Sequence, residues 1–230
     1  MKDYKPELEQ VRNDFSLLEN YRYITSSDNN KQAERSALAL AIYYDLKPSD
    51  FEIVEFLLEQ EYQLRKSATP GDVDELYFIA FVATMFNRVE IIWLFLKIKN
   101  IDFDSGIGFD GQYIFFMGVD ATYKYAKSLE NPEKTKLLKE LDFWYYPDDH
   151  TDEAIAEWKH DKLVYFGLIT EEKHQDNRVD VDEDDVKDIV SYPVDDDDLP
   201  LEEEKEYWDY NDELLPDTKG KTWWQKLLGL

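Results

Sequence analysis

The sequence predicts an all-α chain: a short solenoid of stacked antiparallel helix pairs with an acidic C-terminal extension. Three observations point there. Apolar residues recur at helical spacing through the first 170 positions, two segments repeat one another at an offset of 38, and the charge balance shifts abruptly near Thr170.

The 230 residues carry 52 acidic and 26 basic side chains, a formal net charge of −26. Such self-repulsion favours solubility and disfavours nucleic acid and anionic membrane as partners, so a basic protein is the expected mate. Residues 171–217 hold 21 acids against four bases, and residues 218–230 hold three lysines and no acid. Three parts follow: a helical-repeat domain over 1–170, an acidic segment over 171–217 expected to dock partly on the body, and an amphipathic C-terminal helix over 218–230. With no cysteine and a charged helix pattern directly after Met1, the expected location is the cytoplasm.

The first element is a helix with Leu8, Val11, Phe15, Leu18 and Tyr21 along one face. "SSDNNKQAE" (26–34) is polar and reads as the loop to the next helix start. Then "SALALAI" (36–42) precedes "FEIVEFLLEQ" (51–60), and "DELYFIA" (74–80) precedes "VEIIWLFLKI" (89–98). Leu38 aligns with Leu76 and Glu52 with Glu90, while Ile53, Phe56 and Leu57 align with Ile91, Leu94 and Phe95. Each unit reads as a helix, a tight connection and a second helix. Asn87, Arg88 and Glu90 interrupt the apolar stretch from Leu76 to Ile98, which therefore reads as two buried helices and not as a membrane span. A third copy is expected from "GQYIFFMGV" (111–119) and "NPEKTKLLKEL" (131–141), with Asn131 capping the second helix and Pro132 at its first position. Stacking is required because one helix pair cannot bury both of its faces.

The run "DELYFIAFVATMFNRVEIIWLFLKIKNIDFDS" (74–105) resembles a degenerate ankyrin repeat. Leu76 and Ala80 stand where that family's first helix packs, Glu90-Ile91-Ile92 with Leu94–Leu96 resembles its second helix, and Asn100–Asp104 resembles its trailing turn. "EIVEFLLEQ" (52–60) matches the same second helix. The family's Thr-Pro-Leu-His signature is absent, and the offset is 38, against about 33 in the family. The resemblance implies stacked helix pairs over roughly 36–120.

"NIDFDSGIGFDG" (100–111) crowds three aspartates and three glycines into twelve positions. Counted from Asp102, the sixth position is Ile107 and the twelfth Tyr113, so the calcium-loop pattern of Gly and Glu fails. No Lys followed by Ser or Thr comes after Gly111, so the phosphate-loop pattern fails as well. An exposed turn remains, with Gly106 and Gly108 allowing positive φ in an extended finger.

Catalytic chemistry finds no foothold. His150 and His160 lie ten residues apart around "TDEAIAEW", a spacing that does not pair ligands on one helical turn, and they read as solvent-facing. No nucleophile elbow is present, and carboxylates are too abundant for any couple to stand out. "VDVDEDDV" (179–186) has Asp185 where a calcium loop needs Gly. No catalytic residue, metal site or cofactor is assigned.

Binding surfaces are easier to find. "DFWYYPDDHTDE" (142–153) sets Trp144, Tyr145 and Tyr146 beside Asp148 and Asp149, a combination that suits Arg and Lys side chains. Trp144 is expected to close the solenoid against Ile155, Trp158, Leu163 and Phe166. In "DDDDLPLEEEKEYWDYNDELLP" (195–216), interleaved Leu, Tyr and Trp suggest a stretch that folds onto something, and "KGKTWWQKLLGL" (219–230) is expected to dock on the acidic body. Small, acidic, cysteine-free chains of this type resemble bacterial immunity proteins that cap basic nuclease toxins. The expected contact residues are Asp102, Asp104, Asp110, Tyr145, Tyr146, Asp148 and Asp149. The alternatives are an acidic scaffold or nucleic-acid mimic that sequesters a DNA-binding protein and, third, a metal-dependent enzyme.

Overall fold

A computed structural model describes residues 4–25, 31–67 and 73–170. Among them the chain is mostly helical and contains no strand. The acidic segment and the C-terminal lysine-rich segment lie outside the described residues, as does most of the polar loop before the second helix.

Helix α1 (Lys5–Asn13) has Pro6 and Glu7 in its first turn and Arg12 in its last, matching the helix dipole at both ends. The expected single helix through Tyr21 is broken at Asp14. Its extended backbone and a carboxylate accepting from Ser16 N–H (3.0 Å) and Ser16 O–H (2.6 Å) start a new 3₁₀ segment, Phe15–Tyr21. The apolar face survives the break: Leu8, Val11, Leu18 and Tyr21 are buried, and half-buried Phe15 packs on the same core.

Helices α2 (Gln32–Tyr44), α3 (Phe51–Ser67), α4 (Asp74–Thr84) and α5 (Ile92–Lys99) follow. Short 3₁₀ turns, Pro48–Asp50 and Val89–Ile91, lead into α3 and α5. Positions matched at the offset of 38 are matched in burial too: Leu38 and Leu76, Ile53 and Ile91, Phe56 and Leu94, Leu57 and Phe95 are all buried. Helix α4 packs on α2 and α3, and α3 packs on α5. Every residue from Leu76 to Thr84 is buried, which explains why this stretch reads as apolar all round. No helix of the described residues is long and apolar enough to cross a membrane.

Other expectations fail beyond α5. The supposed turn at 100–111 contains a short helix, α6 (Phe103–Gly108), capped by Asp102, and Gly106 and Gly108 lie inside it without positive φ. Residues 111–119 do not form the first helix of a third pair. They make a 3₁₀ turn, Gly111–Tyr113, and helix α7 begins only at Val119, after Gly118 at φ 88°. The reason lies in the division of the interior. Tyr113 and Phe116 enter the larger core, built on α1–α5, while Ile114 and Phe115 enter a smaller one with Ile92, Leu96, Leu137 and Leu141. Four consecutive buried side chains aimed at two cores are served better by a tight turn than by one amphipathic face.

Helix α8 (Glu133–Trp144) packs on α7 (Val119–Ser128). Asn131 does not cap it; its side-chain oxygen accepts from Thr135 O–H at 2.9 Å, and Pro132 occupies the cap position. Helix α9 (Asp152–Tyr165) is capped by Thr151, which accepts from Ala154 N–H at 3.1 Å. It spans both cores. Ile155 joins the smaller one beside Trp144 and Tyr145, whereas Trp158 packs edge-on against Tyr113 and Phe81, and Phe166 against Phe78.

Candidate partner-binding face

The predicted contact residues fall on two segments, 102–110 and 145–149, and buried groups that periodicity does not flag join them. Lys99, at the end of α5, is almost fully buried. Its ammonium donates to the carbonyls of Gly106 (2.8 Å) and Phe109 (2.5 Å) and stands 4.2 Å from the centre of the Trp144 ring. One side chain thus fastens α6 to the ends of α5 and α8. Burial pushes this ammonium down to about 8, with Asp110 opposing the shift.

His150 is the second fastener, and the structure corrects its expected exposure: only 2% of it is accessible. The ring packs 4.4 Å from that of Phe115, and Nδ1 accepts the backbone N–H of Tyr146 at 3.0 Å. That bond requires an unprotonated Nδ1, so the proton of the neutral ring sits on Nε2. Burial lowers its pKa, Lys99 adds to this and Asp149 opposes it, while the Tyr146 bond, made only to an unprotonated Nδ1, favours the neutral ring. Nε2 faces Gly111 so closely that a Cβ there would stand 2.8 Å away. Gln112 completes the junction by donating to the carbonyl of Asp149 at 3.3 Å. His160, as expected, is exposed.

The seven residues divide by role in the fold. Asp110 accepts from the Trp158 indole (2.9 Å) and pairs with Lys162 (2.6 Å), anchoring α9. Tyr145 is half-buried and packs on Phe115, Tyr123 and His150. Asp102 caps α6 by accepting from Ser105 N–H at 2.7 Å and pairs with Arg65 at 2.9 Å. Burial alone would raise the Asp102 carboxyl, but the Ser105 bonds and the Arg65 guanidinium outweigh it and hold the group below its ordinary value. Asp104 is more exposed and stands 3.9 Å from Arg65. Tyr146, Asp148 and Asp149 point outward: 56% of Tyr146 is accessible, and both aspartates are exposed.

Exposed Phe103 and Ile107 lie on the first of these segments and exposed Phe143 on α8 just before the second, and periodicity singles out none of them. Among the described residues, no group of three or more His, Asp or Glu side chains is arranged to hold a metal ion. The face offers carboxylates and aromatic edges, groups that suit cationic side chains, on a framework joined by Lys99 and His150. No protein-family model, curated protein or solved structure matches this chain.

Proposed function

We propose that this chain is a non-catalytic binding protein, an immunity protein that neutralises a basic, nuclease-like toxin in the cytoplasm by direct contact. In this reading the helices α2–α5 are two ankyrin-like pairs serving as a rigid support. The observation that carries the proposal is the presentation of Tyr146, Asp148 and Asp149 on a segment held by buried His150 and by Gln112. Pre-ordered acids and an exposed aromatic suit a lysine- and arginine-rich surface without a large ordering cost, and the net charge of −26 would steer such a partner in.

The test begins with capture of the partner from the native host and its identification by mass spectrometry. The association rate of the purified pair is then followed from low to physiological salt. It should fall by about tenfold or more, and Asp148→Asn with Asp149→Asn should lower it further at low salt. A rate indifferent to both changes would end this reading. If the partner arrests growth when expressed alone and is harmless with this chain, it is a toxin. A harmless DNA-binding partner would point instead to an acidic scaffold or nucleic-acid mimic.

A further inference from the structure

A second recessed surface lies away from the residues just described. The outer faces of α3 and α5, with the chain following the first 3₁₀ segment, enclose a groove of about 550 Å³. Glu55 and Glu59, one helical turn apart on α3, line one wall, and Glu90, Trp93 and Lys97 line the other. Tyr23 also lines it, and its hydroxyl accepts from Ser67 O–H at 2.7 Å.

The carboxylates are unequally employed. Glu59 accepts from Gln63 at 2.7 Å, and Glu90 pairs loosely with Arg88 at 3.4 Å in an exposed position. Arg22, which also borders the groove, is paired with Glu19. Partly buried Glu55 has no hydrogen bond or ion pair among the described residues. Burial and then the neighbouring Glu52 push its carboxyl up, Arg88 opposes them, and Glu59 and Glu90 add smaller upward pushes. A desolvated carboxylate among like charges gains most from an incoming cation. The indole of Trp93 offers that cation an aromatic neighbour.

We propose that this groove is a docking channel for an arginine- or lysine-bearing segment of the protein partner, its cationic head seated among Glu55, Glu59 and Glu90 and its stem against Trp93. This rests on the reading that the partner is basic, but the test does not need the partner. The probe is the acetylated and amidated peptide RAAAR, titrated into the full chain and followed by amide and indole NMR shifts. Shifts centred on Glu55, Glu59 and the Trp93 indole are expected, with no binding of the acidic analogue EAAAE. Glu55→Gln should weaken the probe by about fivefold or more, with an unchanged or raised urea midpoint because no native bond is lost. Asp120→Asn with Glu153→Gln, which removes twice the charge from other exposed places, should leave the affinity within about twofold.

Equal weakening by that control pair would reduce the effect to bulk charge and overturn the proposal. So would shifts centred outside the groove. Contacts from Trp223 or Trp224 to Trp93 in the peptide-free chain would make residues 219–230 the occupant, and concentration-dependent shifts of the groove without peptide would make it a second copy. Either result overturns the assignment to a foreign segment, while the salt and Asp148/Asp149 experiments on the captured partner stand independently.

Discussion

The two halves of the molecule bury charge in different ways. In α1–α4, Arg35 is wholly buried against the equally buried Glu61, with Nε 2.6 Å from the carboxylate and another guanidinium nitrogen donating to the carbonyl of Tyr21. Arg12 likewise gathers Glu9, Asp45 and buried Asp50, which raises its pKa and clamps α1 to the junction of α2 and α3. In α5–α9, the buried Lys99 and His150 bond to backbone groups and pack against rings. Side-chain ion pairs join helices whose geometry is already regular. Backbone partners are needed where the chain is irregular, because loop carbonyls and N–H groups must be satisfied one at a time. The second half therefore carries its exposed acids on loops whose shape depends on two titratable side chains.

The largest effect expected to expose this difference comes from Arg35→Ala. It strands the Glu61 carboxylate, already pushed up by burial, and should cost about 3–5 kcal/mol in urea unfolding. Replacing both partners with apolar residues should restore much of that. A loss below about 1 kcal/mol would mean that the pair does not hold the first half.

Next comes Gly111→Ala. The added methyl meets His150 Nε2 at 2.8 Å, so a loss of about 1–3 kcal/mol is expected, largely relieved by a second change, His150→Ala. Additive losses in that cycle would show that the ring and the glycine are not in contact.

Lys99 provides the third test. Its folded pKa of about 8 lies below the ordinary 10.5, so the unfolded chain holds the proton more tightly in that interval. Stability should climb as pH rises above about 8, and the climb should be absent in Lys99→Met. A flat profile in the unaltered chain would put the ammonium in solvent.

Asp102→Ala removes a helix cap and an ion pair, and should cost about 1 kcal/mol while increasing hydrogen exchange within α6. Exchange unchanged in 103–108 would show that Lys99 alone holds the helix.

The smallest expected effect belongs to His150. Its folded pKa lies below the ordinary 6.5, so its contribution is complete above that value and is lost as pH falls below it. The difference between the unaltered chain and His150→Gln should narrow on acidification, alongside faster exchange of the Tyr146 amide as Nδ1 ceases to accept. Asp149 favours that protonation and Lys99 opposes it, so the step should move when either is neutralised.

Periodicity located the long helices well because their burial is one-sided or total over many turns. Leu38 with Ile42 and Ile53 with Leu57 follow a helical face, and Asn87 to Glu90 mark the break between α4 and α5. It failed at Asp14, where a local side-chain bond to Ser16 outcompetes continuation of the helix, and at Gly111–Val119, where successive residues serve two cores. The candidate face was legible as composition only. Nothing in "YYPDDH" distinguishes the inward Tyr145 from the outward Tyr146, or reveals that His150 lies beneath them.

By itself, the order of residues determined the helical class, the apolar faces, the apolar pattern that recurs at an offset of 38 and the excess of negative charge, because each is a sum over neighbours along the chain. The tertiary structure alone decided which acids are spent and which are offered. Asp110 goes to Trp158 and Lys162, Asp102 to Arg65 and the start of α6, while Asp148 and Asp149 remain outside. Those assignments depend on donors some 37 to 52 residues away, and only chain folding determines which of many similar carboxylates a given guanidinium, ammonium or indole will meet.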